Sequence, residues 1–189
     1  MLVTWMLTAA VVVVILMTPA LMQKLHGFTP VMTLKANLAA TFLLTVFAMF
    51  SGVLLDRFGA VKVGLVGGVL LIVSTYALYV GADLAPGLLL PLYAFAGATV
   101  GVINVVPFVM VNAFPPSVRF TGVSFSYNVA YAIFGGVTPL LVTFLVNADP
   151  LGPAHYVGAV TVVFLVCMAT QSRARLSLAA PEPAEAPAR

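Results

Sequence analysis

The chain has 189 residues, of which 62% are hydrophobic and 7% charged, with a formal net charge of +3. Soluble domains run at roughly a quarter charged residues, and one of this length has no interior large enough for so much apolar surface, so the solvent is lipid. The eight Lys and Arg stand at the ends of apolar runs, which excludes the basic patch of a nucleic-acid binder.

Six apolar segments are each long enough to cross a core of roughly 30 Å at about 1.5 Å per residue. They cover approximately 2–22, 34–55, 63–82, 88–111, 123–146 and 156–170. The runs are continuously apolar, where barrel strands would alternate, so the sequence predicts an all-α membrane protein of six transmembrane helices. The first span has no basic residue ahead of it, and Ala20-Leu21-Met22 is a poor cleavage site. It is read as a retained span, in a chain that starts where a larger protein would be in mid-course.

Gly27 and Pro30 close the first span, and Lys35 at the outer end of the second is placed to snorkel. Between the second and third spans lies a charged turn, Gly52-Val-Leu-Leu-Asp56-Arg57-Phe-Gly59-Ala-Val-Lys62. Pro86, Pro115-Pro116, Pro150 and Pro153 mark further turns, whereas Pro91, Pro107 and Pro139 fall inside spans and predict kinks. Asp83 and Asp149 stand in loops without a basic partner. His26 and His155 are read as solvated loop residues with no second ligand at metal spacing, and no metal or cofactor is expected. Cys167, the single cysteine, excludes a disulfide framework within the chain and reads as a buried, inert thiol. Residues 173–189, rich in Ala, Pro and Glu, predict a disordered tail after a six-helix bundle over 1–172.

Lys and Arg set the orientation. Arg57, Lys62, Arg119, Arg173 and Arg175 fall on one side and Lys24 and Lys35 on the other, a bias of five to two. Both termini and the Asp56–Arg57 turn are therefore expected in the cytoplasm.

The few polar residues recur at helical spacing. Ser124, Tyr127, Asn128, Tyr131 and Gly135 share one face of the fifth span; Asn37, Thr41, Thr45, Ala48 and Gly52 share one of the second. The fourth carries Gly97, Gly101 and Asn104. An asparagine in hydrocarbon needs a partner or water, so spans two, four and five are expected around a polar interior, with three and six outside against lipid. The competing reading is that these small and polar residues glue helices together.

Gly52-x-x-x-Asp56-Arg57-x-Gly59 resembles the signature loop of the major facilitator superfamily. The stretch from Phe114-Pro-Pro-Ser-Val-Arg119 through Gly122, Ser124, Tyr127-Asn128, Tyr131 and Gly135-Gly136 to Pro139 is similar to the metabolite:proton symporter branch, which carries dicarboxylates, tricarboxylates, shikimate and betaines. Ala20 to Pro30 and Ala36-Asn37 resemble that branch too. The resemblance covers the chain to about Gln171 and matches only the C-terminal six-helix half of a twelve-helix carrier. The signature usually continues with basic residues after its second glycine, where this chain has Ala60 and Val61.

The resemblance implies proton-coupled transport of a small organic acid or zwitterion across the bacterial inner membrane, by rocking one half against the other around a midplane site. Asn37, Asn104, Tyr127, Asn128 and Tyr131 are the expected cavity residues, their amides and hydroxyls orienting a carboxylate. The implied partners are lipid, the small-molecule substrate, and a missing N-terminal half or a second copy. No Asp, Glu or His lies within a span to carry a proton. The alternatives are a non-transporting scaffold or subunit, a non-functional fragment, and an intramembrane hydrolase. The last is disfavoured because both histidines fall in loops and no Gly-x-Ser-x-Gly occurs.

Overall fold

The computed structural model describes the backbone of residues 2–103 and 105–178 and the side chains of those up to 170. Six helices are long and apolar enough to cross a membrane. They are α1 (Leu2–His26), α2 (Pro30–Phe58), α3 (Ala60–Leu84), α4 (Pro86–Asn112), α5 (Arg119–Ala148) and α6 (Gly152–Leu178). Each outruns the expected apolar core because polar caps continue the helix beyond the hydrocarbon. At α2, Pro30 occupies the first turn and the Thr29 hydroxyl accepts from the Met32 amide at 3.4 Å.

Two expected boundaries change. The charged segment at Asp56–Arg57 is not a turn; α2 runs through both residues to Phe58, and Gly59 alone reverses the chain at φ 80°. Only a residue without Cβ takes that φ cheaply, so the turn rests on Gly59, not on the charges. The helix α6 also runs through residues 173–178, which were expected in the tail, while 179–189 lie outside the described residues.

Prolines shape two helices from within. Pro107 lacks an N–H and crowds the carbonyl four residues back, at Ile103, and α4 breaks there into α-helical pieces Leu89–Val102 and Val105–Asn112. Pro19 does the same to α1, which widens into a π-helical stretch over Val11–Met17. Pro139 lies inside α5, which stays continuous.

The core lies along α1 and α4, whose apolar windows are 72% and 59% buried. α2 packs most extensively on α4, where a Cβ at Gly97 would overlap the Ala40 carbonyl and one at Gly101 the Leu44 carbonyl. α3 packs on α6 through Gly64 against Phe164 and Met168, and Gly68 against Leu165. α5 lies on α1 and α6. The helices left most open are α2 and α5, 17% and 22% buried, while α3 and α6 are 50% and 56% buried. Gly97 and Gly101 of α4 serve close packing against α2.

Candidate functional site

Pro19 has no N–H to offer the carbonyls one turn back in α1, whereas Val13 O still accepts the Thr18 N–H, and buried side chains gather on this stretch. Thr18 Oγ1 donates to Val13 O at 2.8 Å and lies 3.1 Å from the Tyr79 hydroxyl of α3. Tyr93 of α4 donates to Val14 O at 2.6 Å, and its hydroxyl also lies 2.9 Å from the Asn37 amide of α2. Thr18, Tyr79 and Tyr93 are fully or almost fully buried. Four helices therefore meet at one polar knot, with half-buried Asn37 at its open edge. The seam below fixes that edge: Gly97 stands one turn after Tyr93 and meets Ala40, one turn after Asn37.

A second polar node joins α1, α5 and α6. Trp5 Nε1 donates to the Tyr156 hydroxyl at 2.9 Å, which pairs with Thr138 Oγ1 at 2.7 Å. The Trp5 ring stacks on Phe134 at 4.7 Å. This node ties α5 to the core at Thr138, on the same face as Tyr131 and two turns beyond it; toward the N-terminal end of α5 that face carries an open polar stripe. On that stripe Tyr127 and Tyr131 stack at 5.6 Å, and the Asn128 amide donates to Ser124 O at 2.8 Å. Tyr127 and Tyr131 are half-buried; Ser124 and Asn128 are exposed, as are Thr41 and Thr45 on α2.

Of the expected cavity residues, the structure thus brings together Tyr127, Asn128 and Tyr131 on α5 and joins Asn37 to α4. No hydrogen bond links Asn37 to the α5 set among the described residues, and Asn104 lies outside them. Tyr79, Tyr93, Thr18, Trp5, Tyr156 and Thr138 were not anticipated. Thr18-Pro19 inside an apolar run was the available signal, since proline frees carbonyls that need a donor.

Each end of the bundle has a cleft. One of about 530 Å³ is lined by Leu55, Gly59, Lys62, Phe108, Asn112 and Met168. Gly52, Asp56 and Arg57 flank this end; Asp56 and Arg57 are exposed and form no salt bridge among the described residues, and Arg57 lies 5.6 Å from the Phe58 ring. The opposite cleft, of about 400 Å³, is lined by Leu25, His26, Tyr79, Asp83, Asp149 and Leu151. Here the loop expectation for the histidines is corrected. His26 ends α1 and lies 3.5 Å from Asp83; His155 sits in the first turns of α6, 3.0 Å from Asp149 and 2.7 Å from the Tyr76 hydroxyl. The two aspartates read as unpartnered are the ones these imidazoles hold. Lys24 Nζ donates to Asn147 Oδ1 at 3.2 Å across the same end. Cys167 is a free thiol of intermediate exposure, not a buried one, because it lies on the outer side of α6.

Comparison with known proteins adds a direction. A Staphylococcus aureus protein assigned as a proline/betaine transporter is 32% identical over 133 residues, covering 63% of this chain and 27% of that protein. The ectoine/proline transporter ProP of Corynebacterium glutamicum is 38% identical over 65 residues, covering 32% of this chain and 13% of that protein. No family model and no solved structure matches. The chain thus spans about a quarter of the length of the first of these relatives. With six candidate spans and these relatives, it is a multi-pass membrane protein with distant, partial homology to bacterial proline/betaine transporters.

Proposed function

We propose that the chain forms one six-helix half of a major facilitator-type carrier that moves a small zwitterion or organic acid, of the proline, betaine or ectoine kind, by alternating access. The relatives' substrates motivate the class. The observation that carries the reading is the placement of polar residues on the two least covered helices. Thr41 and Thr45 on α2, and Ser124 and Asn128 on α5, are exposed on helices otherwise fit for hydrocarbon. Polar groups so placed call for water or another half across from them. The partner is an N-terminal six-helix half or a second copy of this chain. In this reading the signature-loop end and both termini face the cytoplasm, and the proton-carrying group comes from the partner half, since no Asp, Glu or His stands in the polar knots around Asn37 and Thr138.

The test is uptake of labelled proline and glycine betaine into proteoliposomes holding the chain alone or with a co-expressed N-terminal half of the S. aureus relative. Uptake that needs the second half, or that scales with self-association, supports the reading. A half that inserts and pairs but moves neither solute in either arrangement favours the scaffold.

A further inference from the structure

The Tyr93 hydroxyl touches two oxygens, Val14 O at 2.6 Å and Asn37 Oδ1 at 2.9 Å. A phenol has one proton, and contact with two oxygen acceptors would require it to donate twice. A backbone carbonyl cannot become a donor. A carboxamide can, because a half-turn about its last torsion exchanges oxygen and nitrogen at almost the same positions. Only one arrangement satisfies all three groups: Tyr93 donates to Val14 O, and Asn37 Nδ2 donates to Tyr93. The longer of the two distances fits an N–H···O bond and the shorter an O–H···O bond.

We propose that Asn37 therefore presents its carbonyl oxygen to the open face between the halves, and that it selects a substrate whose cationic end bears N–H. This rests on the transport reading above and reverses the role expected of Asn37, from holding a carboxylate to holding the opposite pole. The outward atom of the amide has no protein partner among the described residues and is not enclosed. The Gly97–Ala40 contact one turn away holds the α2 backbone beside Tyr93. A secondary ammonium or an amidinium, as in proline or ectoine, donates to such an oxygen. A permethylated ammonium has no hydrogen to give. Asn37 is thus a specificity residue and Tyr93 the residue that positions it.

The orientation can be read without any substrate, from side-chain amide NMR of the asparagine-labelled full chain in nanodiscs. One Asn37 amide proton should be protected, and Tyr93→Phe should shift its signal and speed its exchange about tenfold or more, the scale of one lost hydrogen bond. Signals unmoved by Tyr93→Phe would overturn the proposal. Equilibrium binding of labelled proline and glycine betaine, to the chain with its second half, reads the consequence. The wild type should favour proline by about tenfold to a hundredfold, as expected for a hydrogen bond to a charged group. Asn37→Val should remove that preference by weakening proline alone. Equal affinities in the wild type, or loss of both ligands together in Asn37→Val, overturn the selectivity. A protected amide proton with neither ligand bound supports the orientation and sinks the transport reading, so the two failures are separable.

Discussion

Thr75 of α3 is buried, and its hydroxyl finds no partner among the described residues. Its neighbour Ser74, equally buried, bonds Thr99 of α4 at 2.8 Å. An unmade hydrogen bond in the interior costs more than a missing polar group, so the two should respond oppositely to apolar replacement. Thr75→Val keeps the shape and removes an unsatisfied oxygen, and is expected to leave thermal stability in detergent unchanged or raised by up to about 1 kcal/mol. Ser74→Ala removes the bond between α3 and α4, although Thr99 keeps its own to Ala96 O at 2.7 Å, and should lower stability by about 0.5–1.5 kcal/mol. Tyr156→Phe is the sharper case, since it removes the acceptor of the half-buried Trp5 N–H and the partner of Thr138 in one change. A loss of about 1–3 kcal/mol is expected, with Trp5 fluorescence shifted as its indole loses its bond. None of these pairings was legible in the sequence. Trp5 and Tyr156 stand at opposite ends of the chain, and only the fold decides which hydroxyl meets which donor.

At the level of the helix, what the sequence made visible divides by range. All six spans were readable, because a run of apolar residues longer than the bilayer core has few alternatives. Pro107 was readable as a break in α4, because its cost is local to the four preceding residues. Pro19 could have been read by the same rule, but a π-helical stretch and a simple kink differ only in which donors reach the freed carbonyls. For Val14 O that donor is the Tyr93 hydroxyl, from another helix. Gly97 and Gly101 showed a four-residue spacing that suits either a polar lining or close approach, and contact with α2 settles it as close approach. Gly97→Ala should therefore force α2 and α4 apart. The expected cost is about 1–3 kcal/mol or more, as for overpacking a dense core, read by melting in detergent. Gly136→Ala, with open space around it on α5, should be silent in the same assay.

For the whole molecule, the open question is what lies across from α2 and α5. Exposed apolar side chains do not answer it. Leu38, Phe42, Phe125 and Phe144 are 65% exposed or more, but lipid meets such groups as well as protein does. The polar residues on the same helices are the discriminating ones, because hydrocarbon gives Thr45 and Asn128 no partner beyond their own helix. Single cysteines placed in a Cys167→Ser background turn this into a measurement. Thiolate, not thiol, reacts with a maleimide, so labelling by a water-soluble reagent reports water at the site. Thr45→Cys and Asn128→Cys should label in membranes, whereas Val66→Cys on α3 and Val162→Cys on α6, both over half exposed in the bundle, should not. Substrate should slow labelling at the first two if they line its path. If all four stay unlabelled, the faces of α2 and α5 lie in lipid, their polar residues are bonded within their own helices, and the carrier reading loses the observation that supports it.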